Sequence, residues 1–350
     1  MIRVGVMGAG KIATDHIKSV GQVKGAKVTA ISNRTKATAE KLASENNIPK
    51  VYKSHSQLVN DPDLDAVFVC LPNNLHVKYV LGALKTGKHV LCEKPIANTV
   101  AGAKKIAAAG ARSRRIVMPA YVLRFAGPAV AAKKYIKSGK LGDIYHMEAE
   151  FQRTRAIPGI GSWFTNKKVS GGGSLIDLGC HVLDLGTWLL GFPKVKTVSG
   201  QVGTYFGNRA DYYQRTWWTR TKENNTYDVE DFSAAFIRFK QGKQIITLNF
   251  VNSWAGNVPK DGWRVWVFGT KGSVRLSHSD GVSVYREVNK EIKEQKVKVG
   301  KGNLFLNEVR YFLECVKKNQ KPAVHLREAV YINEIIEAIY TSSKRQKEVH

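Results

Sequence analysis

Acidic residues are scarce. The chain has 28 Asp and Glu against 55 Lys and Arg, a formal net charge of +27. Cysteine is scarce too. Cys70, Cys92, Cys180 and Cys315 are scattered and form no C-x-x-C pair, which argues against a disulfide scaffold or a zinc ribbon. They read as reduced thiols, and Cys70 and Cys92, each ending an apolar run, as buried ones. No run of about 18 apolar residues occurs, so no membrane-spanning helix is expected. The N-terminus lacks the basic, apolar, small-residue order of a secretory signal, and a cytoplasmic protein is the expectation. No internal repeat stands out.

The positive charge raises the question of nucleic acid. The basic runs are short, however: Arg112 to Arg115, Lys167-Lys168 and Lys344 to Lys347. No helix-turn-helix, zinc-finger or RNP pattern accompanies them. A basic surface that attracts an anionic cofactor or substrate is the reading preferred.

What is present is an alternation of strand and helix signals. Ile2 to Gly8 reads as a buried strand, Lys11 to Val20 as a helix, Ala26 to Ser32 as a strand and Lys36 to Asn46 as a helix. Ala66 to Leu71, His89 to Cys92 and Arg115 to Tyr121 read as further strands, with helices at His76 to Thr86 and Ala97 to Ala111 between them. This order predicts a doubly wound parallel sheet, a Rossmann domain over residues 1–122. After a helix from Pro128 to Ser138 the pattern changes. Strands are expected at Tyr145 to Arg153, Lys196 to Tyr205, Ser233 to Phe239, Gln244 to Phe250, Trp263 to Phe268 and Gly272 to Ser277, with one helix from Ser174 to Leu190. The turn Lys240 to Lys243 reads as a hairpin. Two helices, Asn303 to Lys318 and Arg327 to Ser343, close the chain. Residues 123–350 are thus expected to form an α+β domain with a large, mainly antiparallel open sheet.

Gly8-Ala9-Gly10-Lys11-Ile12-Ala13 fits G-x-G-x-x-A, directly after a strand and opening a helix. Gly8 permits the tight turn, Gly10 lets a pyrophosphate approach the backbone, and Ala13 lets the helix pack on the strand. The helix N-terminus offers free N–H donors. The second strand ends in Ser32-Asn33-Arg34-Thr35-Lys36, with no carboxylate to accept from a ribose 2′-hydroxyl. Asn33 can bind a hydroxyl, but Arg34 and the following Lys36 suit a 2′-phosphate, so NADP is favoured over NAD.

Three more segments carry polar chemistry. Leu71-Pro72-Asn73-Asn74-Leu75-His76 and Glu93-Lys94-Pro95 both follow strands, where ligands bind in open parallel sheets. His76 reads equally as lining the nicotinamide site or as capping the next helix. In the second domain Asp177 and His181 are four residues apart, on one helical face, with Asp184 three further along. In alcohol oxidation a His near neutral pH can take the hydroxyl proton, and a cation beside the alkoxide lowers the barrier. His181 is therefore read as general acid/base, Lys94 as alkoxide stabiliser and Asp177 as orienter. A surface lysine and a helix-surface pair are the plain alternatives. Arg155 and Trp163, in the loop Arg153 to Thr165, and Tyr121 and Arg124 are candidates for substrate contact. Trp217, Trp218 and Trp254 could likewise wall a sugar site, though core packing or a subunit contact is the simpler role.

Taken in order, these residues resemble the family named for glucose-fructose oxidoreductase, inositol dehydrogenase and the rhizopine-catabolism protein MocA. The Gly8 turn, Pro72-Asn73 with His76, Glu93-Lys94-Pro95 and Arg124-Phe125 with Pro128 open the likeness. The Gly-rich lead into Asp177 and His181, Val229-Glu230-Asp231-Phe232 and Gly269-Thr270-Lys271-Gly272 complete it. It covers essentially the whole chain. The resemblance implies a nicotinamide cofactor, sugar or cyclitol substrates, catalytic roles for Lys94, Asp177 and His181, and a homodimer or homotetramer built through the second domain. Asn33 departs from the Asp of many NAD-using members. Two other functions remain open at this point: a glycosidase that oxidises its sugar transiently, and a noncatalytic NADP-binding regulator.

Overall fold

The computed structural model describes residues 1–213, 226–300 and 302–350. They pack as two units. The first holds Met1–Phe125 and Gly302–Val330, the second Ala126–Lys301 and Tyr331–His350. Contiguous segments therefore describe chain order, while the units describe packing.

The first unit runs β1 (Ile2–Met7), α1 (Lys11–Val20), β2 (Ala26–Ser32), α2 (Lys36–Glu45), β3 (Lys50–Tyr52), α3 (His55–Val59), β4 (Ala66–Val69), α4 (His76–Lys85), β5 (His89–Glu93), α5 (Val100–Arg112) and β6 (Val117–Ala120). The strands form one parallel sheet in the order β3-β2-β1-β4-β5-β6. This is the expected doubly wound plan, with its switch in strand order between β1 and β4. All four residues of β4 are buried, as a strand covered on both faces requires. Thr99 caps α5 by accepting from the Gly102 amide, so that helix starts later than its Ala-rich run suggests.

The second unit begins with α6 (Gly127–Lys137), β7 (Ile144–Gln152), the short α7 (Lys167–Ser170) and α8 (Cys180–Leu190). Seven strands follow: β8 (Lys194–Gly203), β9 (Phe232–Gln241), β10 (Gln244–Ser253), β11 (Gly262–Gly269), β12 (Gly272–Ser277), β13 (Gly281–Val288) and β14 (Glu291–Val297). The sheet order is β14-β13-β12-β11-β7-β10-β9-β8, and of its pairs only β7–β10 is parallel. This is the mainly antiparallel open sheet expected. Strands β13 and β14 were not foreseen. Along Glu291–Val297 nothing is buried, so no apolar alternation marks a strand there.

One face of the sheet is covered. Ile237 and Phe239, Leu248 and Phe250, and Val265 and Val267 are all buried. α8 lies close on β7, because a side chain on Gly186 would press on the Met147 thioether. The opposite face carries Phe236, Val251, Trp266 and Phe268, all half-buried. α9 (Leu304–Lys318) packs against α1 in the first unit, and α10 (Leu326–Arg345) ends the helical part of the chain. No helix among the described residues is long and apolar enough to cross a membrane.

Candidate active site

At the switch in the first sheet the chain leaves β1 through Gly8, whose φ is +105°. A Cβ there would overlap the Cys70 carbonyl oxygen at the end of β4. Gly10 caps α1 in an extended conformation, and a Cβ on it would meet nothing within 4 Å. Ala13 is fully buried under the helix, and Ile12 is half-buried. Open space over Gly10 and the unsatisfied first-turn amides of α1 fit a pyrophosphate. The Lys11 ammonium is ion-paired with Asp15 at 2.6 Å. At the end of β2, Asn33 donates to the Thr35 carbonyl and Arg34 is exposed. Lys36 is paired with Glu40 at 2.7 Å, so its charge is largely matched on its own helix.

Two loops follow β4 and β5. Leu71 and Asn73 are buried, and Pro72 is half-buried. His76 lies at the start of α4 and is completely buried. Its Nδ1 stands 2.9 Å from the Pro95 carbonyl and its Nε2 2.8 Å from the Leu71 carbonyl. His76 thus ties one loop to the other. Burial lowers its pKa, opposed by the two carbonyls and by Glu93. Glu93 accepts from His16 and from the Lys94 amide, and Lys94 is half-buried. Tyr121 and Arg124, expected to face the substrate, are both buried. The Arg124 guanidinium lies over the Tyr121 ring and is ion-paired with Glu328 at 2.5 Å. That partner is 204 residues away, so no local pattern could have named it.

In the second unit, residues Gly172 to Thr187 are buried apart from Asp177 and His181. The helix expected from Ser174 opens with a π turn over Leu175–Gly179, and only Cys180–Leu190 is α-helical. Gly179 fits that wider turn, because a Cβ there would crowd Leu175 and Phe250, each at 3.0 Å. Asp184, three residues beyond His181, is buried.

The lead into this turn is fixed by main-chain bonds. One oxygen of the buried Glu230 accepts from the amides of Gly173 and Leu175 at 2.9 and 3.0 Å and from the Tyr340 hydroxyl at 2.9 Å. Burial raises the Glu230 pKa, and these donors oppose the rise. Gly172 and Gly173 are required for the approach. A Cβ on Gly172 would overlap the Tyr340 hydroxyl, and one on Gly173 the Glu230 carbonyl oxygen. Asn252 donates to the Ser174 carbonyl at 2.6 Å. Asp231 accepts from the amides of Tyr205, Phe206 and Gly207. Its own carbonyl accepts the Trp254 amide. The Trp254 indole is fully buried, and its Nε1 donates to Asp177 Oδ2 at 2.8 Å. Trp254 is therefore core residue and carboxylate holder together. The Phe151 ring stands 6.3 Å from that of His181.

Arg155 donates to the carbonyls of Thr154 and Gly256 and to Asn257, with Phe206 beneath its guanidinium. It braces its loop. Trp163 stacks on Phe164 at 3.8 Å. Trp217 and Trp218 lie outside the described residues.

Comparison with known proteins shows the family. The model of the oxidoreductase family's NAD-binding Rossmann fold matches residues 2–121, and that of its C-terminal alpha/beta domain matches residues 133–350. The chain belongs to this Gfo/Idh/MocA oxidoreductase family, and it is an enzyme, a nicotinamide-dependent dehydrogenase or reductase of CH–OH groups. D-glucoside 3-dehydrogenase of Escherichia coli K12 is 28% identical over 346 residues, covering 98% of this chain and 95% of that one. Trans-1,2-dihydrobenzene-1,2-diol dehydrogenase of Mus musculus is 28% identical over 348 residues, with 96% and 95% covered. Among solved structures, levoglucosan dehydrogenase in complex with NADH and L-sorbose has a TM-score of 0.86 at 22% identity, with 99% and 98% covered.

The packing at Gly173 can be tested directly. Gly173→Ala forces the Glu230 backbone to move and should cost about 2 kcal/mol, the usual scale of overpacking. Denaturant unfolding measures it. Unchanged stability would show that the close approach does not exist.

Proposed function

We propose that the protein moves a hydride between NADP(H) and a carbinol or keto carbon of a sugar, cyclitol or sugar derivative. The observation that carries this reading is the isolation of Asp177 and His181 as the only unburied side chains between Gly172 and Thr187. Two polar groups kept accessible on an otherwise buried segment suit a reacting centre. The relatives' named substrates, a D-glucoside and levoglucosan among them, support a sugar-like molecule.

In the oxidation direction His181 takes the hydroxyl proton as general base, and in reduction it returns it. Lys94 places its ammonium beside the developing alkoxide and stabilises it. Asp177, held by Trp254, accepts from a neighbouring substrate hydroxyl and orients the ring. The nicotinamide, when bound, supplies or accepts the hydride. Gly8, Gly10, Lys11, Ile12 and Ala13 would cradle the pyrophosphate. Asn33 and Arg34 would read the adenosine ribose. Leu71, Pro72, Asn73, Glu93 and Pro95 would form the loops around the nicotinamide, with His76 holding them. Arg155 and Trp163 belong to the loop proposed to wall the substrate site. The enzyme is proposed to act in the cytoplasm as a homodimer or homotetramer. The half-buried face with Phe236, Val251, Trp266 and Phe268 would be covered by a second copy.

The NADP preference rests on Arg34, because Lys36 is matched by Glu40. Fluorescence titration should give tighter binding of NADPH than of NADH, with Arg34→Ala weakening NADPH selectively. Equal or tighter NADH binding would contradict it.

Removing the proton carrier tests the chemistry. His181→Ala should lower turnover roughly a hundredfold or more while the protein stays folded. Cofactor affinity should hardly change, since His181 and the Gly8 turn belong to different units. A folded, cofactor-binding variant that works at near wild-type rate would overturn the mechanism.

A further inference from the structure

Helix α1 carries more than the phosphate turn. Six residues beyond Gly10, about 9 Å along the axis, stands His16. Its side chain is 1% exposed, and its Nε2 lies 2.7 Å from Oε1 of Glu93, itself 13% exposed. The other oxygen of that carboxylate, Oε2, accepts the backbone amide of Lys94 at 3.2 Å. The His16 ring meets Phe68 of β4 and Phe305 of α9 edge-on, with centroids 5.4 and 6.1 Å apart. All of these residues belong to the first unit.

A buried carboxylate is costly unless its oxygens are bonded. Here one bond comes from His16 on α1 and the other from the backbone amide of Lys94. With a carboxylate as acceptor, the ring proton of His16 is on Nε2. The histidine cannot swing, because two aromatic rings from different elements confine it. The carboxylate therefore has one orientation, and the Lys94 amide is held to it.

We infer that His16 is a positioning residue for the reaction, fixing Lys94 through Glu93 and tying the Lys94 loop to the helix that holds the cofactor phosphates. This rests on the role proposed for Lys94. The physical reason is precision. A misplacement of 1 Å at a reacting group can cost about a hundredfold in rate. His76 meets this loop at the Pro95 carbonyl, one residue beyond Lys94, and the Glu93 bond acts at the Lys94 amide itself. A cofactor that settles on the N-terminus of α1 settles the loop as well.

The test uses two variants and two readouts. His16→Phe keeps the packing against Phe68 and Phe305 but removes the donor. His16→Gln places an amide N–H near the position of Nε2. In hydrogen exchange, adding NADPH to the wild type should protect both the Gly8–Ile12 peptide and the Glu93–Ala97 peptide. In His16→Phe the first protection should remain and most of the second should vanish, with NADPH affinity within about threefold; His16→Gln should restore it. Turnover of methyl β-D-glucoside, levoglucosan or myo-inositol, whichever is fastest, should fall about tenfold in His16→Phe, short of the hundredfold that a full 1 Å misplacement can cost. Full protection of Glu93–Ala97 in His16→Phe, or a glutamine variant no better than the phenylalanine one, overturns the inference. Lys94→Met separates the two claims. If it works at wild-type rate, the role of Lys94 fails, while the exchange measurement still decides whether His16 sets the loop.

Discussion

The segment that carries Asp177 and His181 depends on one buried carboxylate. A single oxygen of Glu230 gathers the amides of Gly173 and Leu175 and the Tyr340 hydroxyl, and thereby fixes the turn from which both side chains project. Glu93 plays the matching part in the first unit, with His16 on one oxygen and the Lys94 amide on the other. In both places a largely buried carboxylate accepts at least one main-chain amide beside a residue proposed to react. Such hydrogen bonds to a charged group are among the strong ones. They hold the backbone, and the neighbouring side chains are not among these bonds. Asp231 extends the device, since its carboxylate collects three loop amides while its carbonyl receives the Trp254 amide.

Much of the architecture was legible because its causes are local. The Gly8 turn follows a strand and opens a helix within a few residues, and a tight turn there is what the pattern requires. Asp177 and His181 were singled out by their spacing, and both are left unburied on an otherwise buried segment. The π turn over Leu175–Gly179 was not legible. Long-range partners were hidden too. His16 and Glu93 are 77 residues apart, and Tyr340 and Glu230 are 110 apart. Arg124 shows the cost of reading a motif without its partner. Its charge looked available to a substrate, but Glu328 is bound to it. The Val229-Glu230-Asp231-Phe232 motif was visible as a pattern, yet only the structure explains its two acids.

The excess of basic residues suits an anionic cofactor. A positive field raises the local concentration of anions such as a dinucleotide phosphate. Within the described residues, several of the cations that stood out in sequence are matched at short range: Lys11 by Asp15, Lys36 by Glu40 and Arg124 by Glu328. Arg34 differs in being exposed at the end of β2, where a dinucleotide's ribose would be read.

The central claim is that hydride leaves a carbinol carbon of the substrate and stays on the cofactor. Incubation with NADP+ and ring-perdeuterated methyl β-D-glucoside, levoglucosan or myo-inositol, followed by mass spectrometry of the cofactor, tests it most directly. The account predicts one deuterium in each reduced nicotinamide, formed in equal amount to the keto product. Release of methanol from the glucoside with no net reduction of cofactor would instead mark a glycosidase and contradict it, as would the absence of deuterium transfer from all three substrates.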